Sequence, residues 1–180
     1  MGANKENINM FNKVIINENP NNLEAAHGKL IHPLLTGDVK DVVDVMIERH
    51  PTSHIVLVHG CNCHCNMGAG LALRIKNLYP EAYKADQETV SHDRTKLGRM
   101  SGATINPNLS VINLYTQYNY GGGGVNADYD AMRKCFESLV NNAMMDYIFL
   151  IPKYIGCGLA GGDINIVTKL IEEVFENQAY

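Results

Sequence analysis

The chain has 180 residues, a length that suits one domain better than two. Hydrophobic residues make up 46% and charged residues 19%, and the formal net charge of -4 includes no basic stripe that would capture nucleic acid through its phosphates. The start of the chain lacks a signal-peptide pattern, and no apolar run approaches the roughly 20 residues that a membrane helix needs. These properties predict a globular protein and argue against a membrane or nucleic acid as its partner.

Five cysteines are present, an odd number that fits reduced thiols better than a disulfide framework and therefore predicts a cytoplasmic protein. Cys61, Cys63 and Cys65 alternate with other residues, and His64 lies among them, so the residue types of a zinc site are there. However, the cluster contains no CxxC pair, and alternate residues that leave a strand point to opposite sides. We therefore predict neither a metal site nor a cofactor.

The first 29 residues are rich in asparagine and contain one apolar run at 14–16, which predicts a loose segment with an edge strand. The main domain is predicted to span residues 30–180. It opens with an apolar run from Leu30 to Leu35, followed by a turn at 36–38. Val39, Val42, Val43 and Met46 then recur at helical spacing, which predicts a helix.

Further along, short apolar runs alternate with helical patterns. The run 54–59 is typical of a strand buried in a parallel sheet. The runs at 103–105 and 111–116 predict a hairpin or a bent strand pair, and 147–151 predicts a last strand. Helices are predicted after residue 70, over 81–90, around 132–139 and after residue 163. This alternation predicts an α/β fold, a three-layer α/β/α sandwich around a mixed, mostly parallel sheet.

Two glycine-rich loops are the candidate ligand sites: residues 60–70, the first glycine loop, and residues 155–163, the second glycine loop. Each loop leads into a predicted helix, where backbone N–H groups lack internal partners and the helix dipole favours an anion. Facing loops of this kind are able to clamp a diphosphate. Neither is a Walker sequence, and no GxGxxG follows the first strand, which disfavours a dinucleotide-dependent oxidoreductase.

Three motifs in this order resemble those of the macro domains: Leu-Thr-Gly-Asp-Val at 35–39, His-Gly-Cys-Asn-Cys-His-Cys-Asn-Met-Gly-Ala-Gly-Leu-Ala at 59–72, and Pro-Lys-Tyr-Ile-Gly-Cys-Gly-Leu-Ala-Gly-Gly-Asp at 152–163. The resemblance covers about residues 30–175. Within that family the motifs Met-Gly-Ala-Gly and Ile-Gly-Cys-Gly-Leu are most similar to those of the branch that contains the ADP-ribose-1''-phosphate phosphatases and the terminal ADP-ribose glycohydrolases. The resemblance therefore implies a site for ADP-ribose or one of its derivatives.

The resemblance also implies roles for individual residues. Asp38 would accept from the adenine amino group, the Val39 amide would meet the base or a nearby phosphate, and Asn62 would lie near the distal ribose. The first phosphate-binding stretch would be Gly68, Ala69, Gly70 and Leu71, and the second Ile155, Gly156, Cys157, Gly158, Leu159 and Ala160. Two of these residues have structural alternatives: Asp38 as a helix N-cap, and Asn62 as a side chain bonded to its own loop.

Catalysis is harder to assign. The glycohydrolases carry a carboxylate after Gly-Leu and a lysine nucleophile, but here Ala160 follows Leu159 and Lys96 does not align with that lysine. The phosphatase-like relatives carry Gly-Gly-Asp, present here as 161–163, so Asp163 is a candidate to orient or deprotonate water, or else an N-cap. His64 is a second candidate acid or base, or a surface histidine. Asn62 completes the candidate catalytic set.

These residues predict an enzyme that binds ADP-ribose derivatives and hydrolyses a group at the distal ribose, with ADP-ribose-1''-phosphate as the expected substrate. Two other hypotheses remain open: a module that binds ADP-ribose without turnover, and a hydrolase that removes ADP-ribose from modified proteins. Tyr118 and Tyr120 are candidate platforms for a base or ribose, or else side chains that only cover a loop, whereas Tyr115 is expected in the core.

Overall fold

The computed structural model describes residues 11–16, 29–31, 37–144 and 146–176. The strands of these described residues, numbered in chain order, are β1 (Phe11–Ile16), β2 (Lys29–Ile31), β3 (His54–Asn62), β4 (Met100–Asn106), β5 (Leu109–Gln117) and β6 (Tyr147–Pro152). Their helices are α1 (Val39–Arg49), α2 (Gly70–Leu78), α3 (Pro80–Gln87), α4 (Tyr129–Asn141) and α5 (Ile164–Glu176).

The strands of these described segments form a single sheet with the order β2-β1-β6-β3-β5-β4. β3 pairs in parallel with β5 on one side and with β6 on the other. The pairings β4 with β5, β1 with β6, and β2 with β1 are antiparallel. β2, β6, β3 and β5 therefore run in one direction while β1 and β4 run against them, which confirms the predicted mixed, mostly parallel sheet.

Helices cover both faces of the sheet. On β3, Val56 and Val58 point into a core formed with α4 and α5, whereas Ile55 and Leu57 point into a second core formed with α1, α2 and α3. Because successive side chains of a strand point to opposite faces, a strand segment buried on both faces must be apolar at every position, as residues 55–58 are. The three-layer α/β/α sandwich is confirmed.

The strand predicted at 14–16 is part of β1, but its predicted position at the edge is wrong. β1 lies between β2 and β6 and pairs with both. The predicted strand over 30–35 overlaps β2 at 30–31, and its remainder, together with Thr36, lies outside the described residues. The apolar run by itself held no information about how many neighbours the strand would have.

The parallel strands determine where a ligand site can lie. β3, β5 and β6 end at the same edge of the sheet, so the first glycine loop, the segment after Gln117 and the second glycine loop all leave from that edge. In sheets of this kind ligands bind in the crevice beyond the carboxyl ends of the strands.

Tyr115 is buried with 1% of its surface exposed, as predicted for a core residue.

Candidate functional site

A cleft with a cavity volume of about 1040 Å³ opens beyond the carboxyl ends of β3, β5 and β6. Most of the binding residues expected from the sequence line this cleft: Asp38, Asn62, Gly68, Ala69, Gly70, Leu71, Ile155, Gly156, Gly158, Leu159 and Ala160. Val39 and Cys157, and the catalytic candidates His64 and Asp163, are not among its lining residues. The fold thus joins the two glycine loops in one site and separates it from two of the three catalytic candidates.

The first glycine loop ends at the amino terminus of α2. Ala69 precedes the helix and supplies no capping side chain, and the first amide seen to bond back is that of Leu73, to the Ala69 carbonyl at 3.1 Å. No described carbonyl accepts from the amides of Gly70 or Leu71. Gly70 has φ +56, a conformation that favours glycine. Unbonded amides at a helix start attract an anion.

The second glycine loop presents a similar row of amides. Its internal turns use the amides of Ile155 and Cys157, which donate to the carbonyls of Pro152 and Tyr154. No described carbonyl accepts from four other amides of the loop, those of Gly156, Gly158, Leu159 and Ala160. These donors are free to bind oxygen atoms of a ligand in the cleft.

The two loops approach each other closely. A Cβ atom built on Gly70 would lie 3.2 Å from Cδ1 of Leu159, so the second loop covers the start of α2. At the floor of the cleft, a Cβ atom on Gly60 would lie 3.9 Å from the amide nitrogen of Gly156. A ligand between the loops would therefore meet backbone amides on both sides, as a diphosphate clamp requires.

Asp38 and Arg74 both line the cleft and are hydrogen-bonded to each other. The Asp38 carboxylate caps α1 by accepting from the Lys40 amide at 3.0 Å, which confirms the capping interpretation. It also accepts two hydrogen bonds from Arg74, Nε to Oδ2 and Nη2 to Oδ1, each at 2.9 Å. The hydrogen bonds from Arg74 lower the pKa of Asp38, so the carboxylate is held ionised and oriented.

Side-chain amides gather on the β3 and β5 side of the cleft, where Asn62, Asn66 and Gln117 line it. Asn62 is largely committed to its own loop: its Nδ2 donates to the Asn66 carbonyl at 2.7 Å, and its Oδ1 accepts from the His64 amide at 2.9 Å. The loop-fixing interpretation of Asn62 is therefore confirmed, and Asn62 also lines the cleft. Tyr120 also lines this wall, whereas Tyr118 does not.

His59 lies beneath this wall and is 1% exposed. Its Nε2 is 2.8 Å from Oδ1 of Asn113, an arrangement that makes the imidazole the donor. Burial lowers the pKa of His59 to about 4, so the ring is neutral at pH 7. A neutral, hydrogen-bonded imidazole contributes a fixed dipole to the cleft floor and no charge.

His64 belongs to an aromatic cluster outside the cleft lining. Its ring centroid is 4.2 Å from that of His92, 4.9 Å from that of Tyr118 and 5.5 Å from that of Tyr120. Its Nε2 lies 3.1 Å from Oδ1 of Asn119. His64 belongs to the first glycine loop, but the structure does not place it among the residues that line the cleft, and its acid–base role stays a prediction.

Asp163 precedes α5 and caps it. Its Oδ1 accepts from the Asn165 amide at 2.7 Å, and its carbonyl accepts from the Val167 amide at 3.0 Å. Its own amide donates to the Tyr129 hydroxyl at 2.9 Å. The N-cap interpretation is confirmed, while the water-activating role stays a prediction without support from the cleft geometry.

The remaining two candidates offer a ligand only their backbone. The Val39 side chain is fully buried in the core beneath α1. Cys157 packs against the core on the α4 and α5 side, and its Sγ donates to the Ile155 carbonyl at 3.4 Å. The cysteine-rich segment likewise scatters its side chains: Cys61 and Cys63 are buried, whereas Cys65 contacts residues of α3. Among the described residues no cluster of His, Cys, Asp or Glu is arranged to hold a metal ion.

Sequence reasoning missed Arg74, Asn66 and Gln117. Arg74 lies four residues after Gly70, one helical turn into α2, so it shares the face that begins at the first glycine loop. Gln117 is the last residue of β5, the position from which a parallel strand presents a side chain to a ligand. Arg74 lies in the helix predicted after residue 70 and Gln117 directly follows the predicted strand 111–116, but neither residue belongs to a glycine motif.

Comparisons with known proteins show what this chain is similar to. No protein-family model matches the sequence. Over 123 residues the chain is 30% identical to an uncharacterized 17.5 kDa protein of the tk-vs intergenic region of Enterobacteria phage T4, a match that spans 64% of this chain and 77% of that protein. Within the described residues no helix is both long and apolar enough to cross a membrane.

Two solved structures have a similar fold. A crystal structure of a protein from Bacteroides thetaiotaomicron has a TM-score of 0.55 at 23% identity and covers 68% of this chain and 82% of its own. The macrodomain of Mycobacterium tuberculosis DarG has a TM-score of 0.52 at 21% identity and covers 71% of this chain and 84% of its own. This chain therefore belongs to one family with the phage T4 protein, and its fold is that of a macrodomain.

Proposed function

We propose that the cleft binds ADP-ribose, with the diphosphate between the two glycine loops. The observation that carries the proposal is the set of unbonded amides on both sides of the cleft: those of Gly70 and Leu71 on one side, and those of Gly156, Gly158, Leu159 and Ala160 on the other. Amides held by the fold bind phosphate oxygens without a cation, which suits a protein of net charge -4. The sequence resemblance to macro domains supports the same ligand.

The polar side chains that line the cleft support an orientation for the ligand. The adenosine would lie toward Asp38, the acidic residue of the cleft wall, and the distal ribose toward Asn62 and Gln117. The amide of Val39, the first residue of α1, is adjacent to Asp38 and is the part of that residue able to meet the base. The Cys157 amide already donates to the Tyr154 carbonyl, so Cys157 would hold the loop in shape and leave phosphate binding to its neighbours.

Calorimetry tests this proposal. ADP-ribose should bind more tightly than NAD and ATP, because the cleft offers two loops to a diphosphate and an open distal end to a free or substituted ribose. Equal or tighter binding of ATP would contradict the proposal, since ATP lacks the distal ribose.

We further propose a reaction at this site, hydrolysis of ADP-ribose-1''-phosphate to ADP-ribose and phosphate. The observation that favours a reaction is the group of side-chain amides on the distal side, Asn62, Asn66 and Gln117, which are able to orient a water molecule beside the ribose. Asp163 and His64 remain hypotheses for the group that handles the proton. Release of inorganic phosphate from ADP-ribose-1''-phosphate tests the reaction, and its absence would leave a protein that binds ADP-ribose without turnover.

A second candidate function is removal of ADP-ribose from proteins, and the rim of the cleft favours it. The exposed fractions of four lining residues are large for apolar side chains: Leu73 38%, Tyr154 50%, Tyr120 52% and Leu159 73%. An exposed apolar rim around a ligand cleft is typical of a surface that contacts a larger partner. Incubation with a protein carrying labelled ADP-ribose, compared with ADP-ribose-1''-phosphate, separates the two substrates.

A further inference from the structure

A buried charged network lies outside the cleft, between the first glycine loop, α3 and β5. Lys96 is 6% exposed and Asp86 is 1% exposed. The Lys96 Nζ atom is 3.6 Å from Oδ1 of Asp86 and 4.2 Å from the centre of the Tyr115 ring. It also donates a hydrogen bond to Sγ of Cys65 at 3.2 Å. No element of the proposed function uses these side chains.

The network is incompletely satisfied. The Tyr115 hydroxyl donates to Oδ1 of Asp86 at 2.9 Å, but Oδ2 of Asp86 is buried and accepts no hydrogen bond from the described residues. A buried ammonium group is expensive unless it is well paired, so a lysine here calls for an explanation. The contact of Lys96 with the Cys65 sulfur offers an explanation, because an amine is a nucleophile toward oxidised sulfur.

Cys65 differs from the other cysteines of the chain. It is only half-buried, in a loop conformation with φ +56, so a small oxidant in solvent is able to reach it. Burial raises the pKa of the Cys61, Cys63 and Cys135 thiols, which makes them poor nucleophiles. Cys157 is also half-buried, but its Sγ contacts the Ile155 carbonyl and no lysine.

We propose that Cys65 and Lys96 form an oxidation-dependent covalent cross-link, an N–S bond between Nζ and Sγ. A peroxide first oxidises the Cys65 thiol to a sulfenic acid and is itself reduced to water or an alcohol. The Lys96 ammonium group then passes one proton to the Asp86 carboxylate, 3.6 Å away, which leaves a neutral amine with a free electron pair. The amine nitrogen attacks the sulfur, the S–O bond breaks, and the oxygen leaves as water with a second proton from the amine. The two atoms that form the bond, Nζ of Lys96 and Sγ of Cys65, are in contact before the reaction, at 3.2 Å.

The cross-link would act on the first glycine loop. Cys65 lies three residues before Gly68, and Lys96 lies in the short 3-10 turn Arg94–Lys96 that precedes β4. An N–S bond would fix the loop to this turn. A thiol would open the bond by attacking the sulfur and releasing the amine, and a second thiol would then reduce the resulting mixed disulfide to the Cys65 thiol.

Intact mass spectrometry of the full chain after peroxide treatment, without reducing agent, tests the proposal. The expected product is lighter by about 2 Da, regains its mass with dithiothreitol, and gives a tryptic species joining residues 50–74 to residues 95–99 through an uncut Lys96. Gain of about 16 or 32 Da on the peptide 50–74, with no joined species, would overturn the proposal.

Two variants provide matched controls. Lys96→Arg keeps a cation beside Asp86 but cannot form the N–S bond, so Cys65 should proceed to the sulfinic acid and the joined species should be lost. Cys157→Ser removes the other half-buried thiol and should leave the joined species unchanged. A joined species that persists in Lys96→Arg, or that disappears in Cys157→Ser, would contradict the assignment to these two residues. If Lys96→Arg does not fold, Cys65→Ser serves the same purpose.

Discussion

At the scale of single residues, the Asp38 carboxylate is the most informative group in the cleft. An ionised carboxylate offers about four acceptor positions. The Lys40 amide and Arg74 Nη2 share Oδ1, and Arg74 Nε takes one position of Oδ2. One acceptor position of Oδ2 remains, which is what one N–H of an adenine amino group requires. Capping and base recognition are therefore compatible, with Arg74 as a positioning residue.

Arg74→Gln tests this arrangement. Without the two hydrogen bonds from the guanidinium, the Asp38 carboxylate is free to rotate, so we expect the preference for ADP-ribose over its inosine counterpart to fall by up to about tenfold, or ~1.4 kcal/mol. Calorimetry with both ligands measures the ratio. Arg74→Lys, which keeps the charge but not the two-pronged geometry, should give an intermediate value. A preference that increases in Arg74→Gln would show that Arg74 competes with the base for Asp38.

Asp163→Asn separates capping from catalysis. Asparagine caps helices about as well as aspartate, so the melting temperature should stay unchanged, whereas Asp163→Ala should lose about 0.5–2 kcal/mol of stability. Because Asp163 caps α5 and is not among the cleft-lining residues, we expect phosphate release by Asp163→Asn to stay close to that of the unmodified protein. A fall of about 10²-fold or more would restore Asp163 as the base.

At the scale of elements, the two glycine loops differ in how much the fold depends on their glycines. Gly156 has φ +69, and a Cβ atom on it would lie 1.9 Å from Cε of Met132 in the α4 core. Gly158 has no other atom within 4 Å of its Cβ position, and it lines the cleft. One glycine thus serves packing, and the other leaves the cleft open.

This difference predicts opposite effects for two substitutions. Gly158→Val should fold normally and lose most of its affinity for ADP-ribose, because the added side chain blocks the approach of a phosphate to the loop amides. Gly156→Ala should lose stability by roughly 1–3 kcal/mol through the clash and the unfavourable φ. Thermal unfolding and calorimetry on both variants measure the two effects. A Gly158→Val protein with full affinity would show that the second glycine loop is only a turn.

At the scale of the whole molecule, buried His59 couples stability to pH. Burial lowers its pKa to about 4 in the folded protein, against an ordinary value of 6.5. Between those pH values the unfolded chain carries a proton on this ring that the folded protein does not, so the free energy of unfolding falls as the pH drops through this window. The loss should reach about 3 kcal/mol near pH 4, at ~1.4 kcal/mol per pH unit.

His59→Gln provides the control for this pH dependence. Glutamine does not titrate and is able to donate to Oδ1 of Asn113 in place of the imidazole. Urea unfolding from pH 4 to pH 7 should therefore give a flatter profile for the variant than for the unmodified protein. Parallel profiles would assign the acid sensitivity to other groups.

The predictable part of this protein follows from local patterns. Val39, Val42, Val43 and Met46 lie at a spacing that fits only a helix with one buried face, and residues 55–58 are apolar on both sides, as a central strand must be. The glycine loops are likewise predictable from the sequence, because an anion site built from backbone amides needs small residues at the start of a helix. The sequence alone therefore determined the α/β class, the order of most elements and the two loops of the cleft.

Only the tertiary structure decided which side chains meet. The bond between Asp38 and Arg74 joins residues 36 positions apart, and the contact of Cys65 with Lys96 joins residues 31 positions apart. The inner position of β1, the separation of His64 and Asp163 from the cleft lining, and the burial of His59 depend in the same way on how strands pair and helices pack. Periodicity reports which face of an element is buried, but the partner on that face is set by long-range packing, which no local pattern encodes.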